Sequence, residues 1–191
     1  MDAKNTFSVY KTVIEMFKDR GYSISRNIGL DEFITMYDEN NYDIVDDEEK
    51  IMAAFFSENK TISKKDLENI VLDAKEDYGN DIKIVIIMKN KPNINIEKEL
   101  MNDVYKNIEL FLFKNLTFNI TRHVDMPQHI PLSPKEIAEV VEKYKTNKNQ
   151  FPKMLTTDPI ARYYGVSAGG MFKIIRKSQS SGEYISYRYV K

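Results

Sequence analysis

"IKIVIIMK", residues 82–89, is the stretch that decides the fold. Its nearly unbroken run of Ile and Val suits a strand covered on both faces, hence one at the centre of a sheet. Working outward toward the N-terminus, Ser63 can cap a helix in which Leu67, Ile70, Val71 and Ala74 fall at helical spacing. Before it, "KIMAAFF" (50–56) is apolar enough for a buried strand. On the other side, "NIEKELMNDVYK" (95–106) reads as a helix and "IELFLF" (108–113) as a third strand. Strand, helix, strand, helix, strand predicts an α/β sheet of βαβ type with parallel members. Further out, Phe7, Tyr10, Val13, Ile14 and Phe17 form one helical stripe that Gly21 is suited to end. A polar, acidic region closing in "DENNYDIVDDEEK" (38–50) reads as loop.

The pattern changes near "NITRHVDMPQHIPLS" (119–133), whose two prolines and change of charge sign mark a linker. Ser133-Pro134-Lys135-Glu136 has the form of a capping box with Pro at the first helical position, followed by Ile137, Val140, Val141 and Tyr144 as the apolar stripe. "KTNKNQFPK" (145–153) reads as a polar connection. Asp158 and Pro159 start a short helix through Tyr164, closed by Gly165. "MFKIIRK" (171–177) and "YISYRYV" (184–190) flank a six-residue Ser/Gly turn and predict an antiparallel pair. The expectation is two domains, 1–117 and 118–191, α+β overall: a βαβ-type sheet with flanking helices, then a small α+β domain. Two strands and short helices make a marginal core for the second. Such a module commonly rests on a partner, which points to docking.

At 191 residues, with 42% hydrophobic residues, the chain has enough apolar area to fold. The N-terminus lacks the unbroken apolar core of a signal peptide, and no run reaches the roughly 18 apolar residues of a membrane helix. A soluble, intracellular protein is expected, and the glycosylation triplets at Asn59, Asn115 and Asn119 read as chance. Zero Cys excludes disulfides, thiolate zinc sites and a Cys nucleophile. The net charge of −1 hides a split. Residues 1–110 hold 15 basic and 23 acidic residues, a net −8, whereas 111–191 hold 13 and 6, a net +7. The two parts face different neighbours or present two differently solvated surfaces.

Few residues suggest catalysis. His123 and His129 flank Asp125, but a metal would need further ligands and there is no Cys to supply them. A Ser-His-Asp triad lacks the G-x-S-x-G turn that would expose its nucleophile. Asp81-Ile82-Lys83 is half of a metal-dependent nuclease pattern, a carboxylate for the ion and a Lys beside the attacking water. No preceding strand carries the second Asp, so solvated charges at a strand end are the preferred reading. Gly169-Gly170 leads into a strand rather than a helix and serves a tight turn, not a phosphate loop. Lys143, Lys145, Lys148 and Lys153 cluster near a helix end where basic residues also suit the dipole. Lys89 and Lys91 follow the central strand on a loop where a phosphate contact is feasible. No cofactor is implied.

"DPIARYYGVSAGGMFKIIRKSQSSGEYISYRYV" (158–190) resembles the C-terminal assembly domain of the fifth subunit of eukaryotic RNA polymerases, shared by polymerases I, II and III. The archaeal counterpart is the H subunit. The family pattern D-P-V/I-A-R-Y-Y-G matches Asp158, Pro159, Arg162, Tyr163 and Gly165 among its residues, and V-K-I-I-R matches Lys173, Ile175 and Arg176. Ser178, Gly182, Tyr184, Tyr187 and Arg188 complete it. His123, Pro127 and His129 fit the family's H-x-L-V-P-x-H segment, with Asp125 and Met126 replacing Leu-Val and Phe172 standing where Val is common. "YKTVIEMFKDRGYSIS" (10–25) is similar to the family's first helix.

The resemblance implies a non-catalytic subunit of a DNA-directed RNA polymerase. Its C-terminal domain would dock on the largest subunit and other polymerase subunits through the residues just named. Its N-terminal domain would form part of a jaw, in weak contact with downstream DNA near Lys89, Lys91 and Pro92. Only Pro92 of the family's Thr-Pro-Ser-Ala-like turn is kept in "NKPNIN" (90–95). Because the archaeal subunit lacks the N-terminal domain, the resemblance implies a eukaryotic origin and the nucleus, or a large DNA virus and its cytoplasmic factory or virion. A nuclease on the N-terminal sheet and a free transcription adaptor are the alternatives.

Overall fold

The structure, a computed structural model, describes residues 3–26, 28–38, 43–56, 61–100, 102, 105–178 and 182–191. It divides into two compact units, Met1–Phe118 and Asn119–Lys191.

In the first unit the strands run β1 (Ile44–Val45), β2 (Ile51–Phe56), β3 (Lys83–Met88), β4 (Ile108–Leu112) across one sheet. β2, β3 and β4 are parallel and β1 is antiparallel to β2. The central place of β3 follows from its sequence, for every residue from Ile84 to Met88 is buried. The crossover helices α3 (Lys64–Tyr78) and α4 (Ile94–Glu99) cover one face. There Leu67, Val71, Ala74 and Ile96 pack on Met52, Ala54, Ile84, Ile86 and Met88. Successive parallel crossovers of one hand place their helices on the same side, as seen here. Ser63 caps α3 in a capping box with Asp66, and Gly79 at φ +93° ends the helix in a conformation a side chain would resist.

The other face takes α1 (Ala3–Asp19), whose Tyr10 stacks 6.4 Å from Phe55. Arg20, just past α1 and almost fully buried, forms a two-pronged pair with Glu109 of β4 at 2.8 and 3.0 Å. The acidic segment read as loop is more ordered than expected. Leu30–Asp38 is a helix, α2, whose Phe33 contacts Phe7 and Tyr10 at 5.2 and 5.0 Å. Its acidic residues Asp31 and Glu32 occupy the first turn, where they favour the helix rather than oppose it. Ile44 and Val45 then pair with β2, and the turn that follows is held by Asp46, whose buried carboxylate accepts the amides of Lys50 and Ile51 at 2.6 and 2.7 Å. Residues 39–42 of that loop lie outside the described residues. α4 is shorter than the helix expected over 95–106.

The second unit holds a four-stranded sheet in the order β5 (Gln128–Pro131), β7 (Met171–Ser178), β8 (Gly182–Val190), β6 (Lys153–Met154). The two-strand expectation is thus corrected: the linker supplies β5, antiparallel to β7, and the polar connection supplies β6, parallel to β8. The hairpin is also tighter than six residues, because Ser178 pairs with Gly182. α5 (Pro134–Lys143) has its capping box and packs Ile137 and Val140 on Met171. α6 (Pro159–Tyr163) packs Ile160 and Ala161 against Phe172, Ile174 and Val190 on the opposite side. Among the described residues, no helix is long and apolar enough to cross a membrane.

Candidate functional site

Three strands meet on one rung at His129, which lies opposite Ile174 of β7, itself opposite Ser186 of β8. Facing residues of antiparallel strands share a side of the sheet, and the side alternates at each step. One face therefore carries His129, Phe172, Arg176, Tyr184 and Arg188. The other carries Lys173, Ile175, Ile185 and Tyr187.

On the first face, buried Phe172 meets His129 edge-on at 6.0 Å and Tyr164 at 5.8 Å. Tyr164 follows α6, so the start of that helix is drawn to the same neighbourhood. There Asp158 accepts the Ile160 amide at 2.9 Å, and Pro159 occupies the first turn, where no amide hydrogen is required. His129 donates its Nδ1 hydrogen to the Pro127 carbonyl at 2.7 Å, which selects the neutral tautomer protonated on Nδ1. Burial holds its pKa below the ordinary value. The Pro127 bond and the charge of Asp158 oppose that shift, and the charges of Arg188 and Arg176 reinforce it. His129 is consequently uncharged at neutral pH, within electrostatic reach of two cations and one carboxylate.

The remaining expected residues separate. Tyr163 is buried, and its hydroxyl accepts a hydrogen bond from the Asn119 amide at 2.9 Å, so it packs rather than offering open surface. The Arg162 amide closes the first turn of α6 on the Asp158 carbonyl at 2.9 Å, and Gly165 turns the chain at φ +64°. Lys173, Ile175 and Tyr187 lie half-buried on the second face, where Tyr187 contacts Tyr144 and Phe151 at 5.7 and 6.3 Å. Ser178 and Gly182 form the last rung of the hairpin. His123 is exposed and accepts the Asp125 amide at 3.3 Å. Among the described residues, no group of three possible metal ligands is assembled.

Residues outside the expected interface set also shape this region. Asn119 anchors both Tyr163 and its own turn through Thr121. Val124, Tyr184 and Ile185 are exposed apolar groups, with Val124 98% accessible. The signal for the last two was present: "YISYRYV" has apolar residues in both phases of its alternation, so neither face of the strand is plainly polar. Where the β5–β7 pairing ends at Gln128 and Ile175, an open groove of about 700 Å³ is bordered by Met126, Arg176 and Glu183.

Family comparison agrees with this two-unit organisation. The family domain "RNA polymerase Rpb5, N-terminal domain" matches residues 1–105, and "RNA polymerase Rpb5, C-terminal domain" matches 118–190. The chain belongs to the RNA polymerase Rpb5 family. It is 30% identical to "DNA-directed RNA polymerases I, II, and III subunit rpabc1" of Dictyostelium discoideum, over 98% of either chain. It is also 30% identical to the RPABC1 subunit of Caenorhabditis elegans, over 100% of this chain and 97% of that one. To "DNA-directed RNA polymerases IV and V subunit 5B" of Arabidopsis thaliana it is 27% identical, over 94% of this chain and 87% of that one.

In this Rpb5-family chain, Lys89, Lys91 and Pro92 follow β3 directly, at the C-terminal end of the parallel strands, with both lysines exposed. Asp81 and Lys83 are exposed at the opposite end of β3, and the Lys83 ammonium lies 5.8 Å from the centre of the Tyr22 ring. That cation–π contact gives Lys83 a packing role in the first unit.

Proposed function

We propose that this chain is a subunit of a multisubunit DNA-directed RNA polymerase, docking on the largest subunit through residues 118–191 and lying near downstream DNA through residues 1–117. The single observation that carries the reading is family membership over nearly the full length, including relatives named as subunits of DNA-directed RNA polymerases. The chain is a structural component and not an enzyme by itself. Its partners are other polymerase subunits, and in a eukaryotic cell its place is the nucleus.

The grouping of His129, Asp158, Arg176 and Arg188 on one side of the second sheet supports docking there. Apolar Val124 and Tyr184 stay exposed nearby, and exposed apolar groups beside arginine and tyrosine are the composition of protein interfaces. The exposed lysines after β3 support at most one or two phosphate contacts within an assembled enzyme.

Affinity purification of the tagged full-length chain tests this. One copy per polymerase is expected, as is cross-linking of residues 118–191 to the largest subunit. A chain that purifies free of polymerase subunits overturns the reading.

A further inference from the structure

Arg20 shows how this chain treats a buried guanidinium: it receives a two-pronged carboxylate. Arg176 and Arg188 are treated differently. Among the described residues neither has an ion pair, side-chain hydrogen bond or aromatic contact; Arg188 is half-buried and Arg176 exposed. In the β7–β8 ladder Arg188 opposes Phe172 and Arg176 opposes Tyr184. The two therefore stand on one face, on either side of the Ile174–Ser186 rung that His129 completes. The carboxylate that acts on His129 there is Asp158, already engaged as the cap of α6.

From this unpaired arrangement we infer that Arg176 and Arg188 form the receptor for an acidic segment of a partner polymerase subunit, its carboxylates meeting the two guanidinium groups at the edge of the surface that α6 covers. The inference rests on the docking reading above and names its chemistry. A guanidinium presents a planar fork that matches a carboxylate in two parallel hydrogen bonds. Arg188 is half-buried without a carboxylate of its own, and the exposed Arg176 beside it is free to turn toward the same ligand. A protein acid fits better than a nucleic-acid phosphate. Tyr184, directly opposite Arg176 on the same face, is 56% exposed, so the occupant must also supply cover for an aromatic ring. The net +7 of residues 111–191 favours an acidic partner in the same sense.

The test uses the tagged full-length chain expressed alongside the polymerase. The double change Arg176→Gln with Arg188→Gln is expected to leave the unfolding midpoint in place and lower co-purified polymerase by on the order of tenfold or more. Arg176→Lys and Arg188→Lys, each alone, should keep part of the yield. Zero-length carbodiimide coupling of those variants should join the new amine to an Asp or Glu of another polymerase subunit. Undiminished co-purification of the double Gln variant overturns the inference while leaving the polymerase reading intact. Coupling that reaches no acidic residue of another subunit overturns it too, and does not depend on the Gln variant folding. Release of the wild-type chain by nuclease treatment would show that phosphate is the occupant and equally sink it. A wild-type chain that brings down no polymerase subunits defeats both readings.

Discussion

Asp158 holds the start of α6 through one hydrogen bond to the Ile160 amide. Asp158→Ala should lower stability by about 1 kcal/mol, whereas Asp158→Asn, which still caps, should be nearly neutral. Urea unfolding of the full chain measures both; equal losses would mean that the charge and not the cap matters. His129 makes a different prediction. Its folded-state pKa lies below its ordinary value because burial disfavours the charged ring. The unfolded chain therefore binds the proton more readily, so stability is intact at neutral pH and declines as pH falls through the unfolded pKa toward the lower folded one. His129→Gln should flatten the fall in thermal midpoint between pH 7.5 and 5.5 (about one unit on either side of an ordinary His). An unchanged slope would remove His129 as its source. Gly170 is constrained by space: a Cβ there would lie 2.3 Å from Val166 Cγ1 and 3.2 Å from the Ser167 carbonyl. Gly170→Ala should destabilise the second unit, since Val166 packs on its core.

Among the elements, α1 is tied to the sheet by packing and by Arg20–Glu109. Glu109→Ala removes the two-pronged carboxylate from a nearly buried guanidinium and should cost on the order of 1–3 kcal/mol, above the value of an exposed pair. Lys64–Glu99 joins α3 to α4 but is exposed, so Lys64→Ala should be almost silent by the same unfolding measurement. The sequence made β3, α3 and α5 legible because their burial patterns are local and each helix carries its own cap. β5 and β6 were not legible. His129–Ile130 and Lys153–Met154 have no strong strand signature, and become strands because β7 and β8 offer edges to pair with. α2 was obscured by its acidic first turn, although Leu30, Phe33, Ile34 and Tyr37 keep helical spacing.

For the whole molecule, charge sets the expectation about DNA. Residues 1–110 sum to −8, and affinity for duplex comes largely from Lys and Arg that neutralise phosphates. The free chain should bind DNA negligibly near physiological salt in a fluorescence-anisotropy titration. Within an assembled polymerase, reversing Lys89 and Lys91 together should weaken the hold on downstream DNA modestly and without sequence preference, with subunit composition unchanged. Tight, salt-resistant binding by the free chain would contradict the non-catalytic docking account.

The sequence alone determined the family, the βαβ order around "IKIVIIMK" and the helix starts at Ser63, Ser133 and Asp158. Each of these is written in neighbouring residues: periodicity, caps and a long contiguous motif. Only the tertiary structure decided how the motif residues divide. It put Tyr163 into the core, placed Lys173 and Tyr187 on one face, and gathered His129, Arg176 and Arg188 on the other. That division depends on the register of β5 against β7 and of β7 against β8. A shift of one residue would exchange the faces, and no local stretch of the chain encodes it.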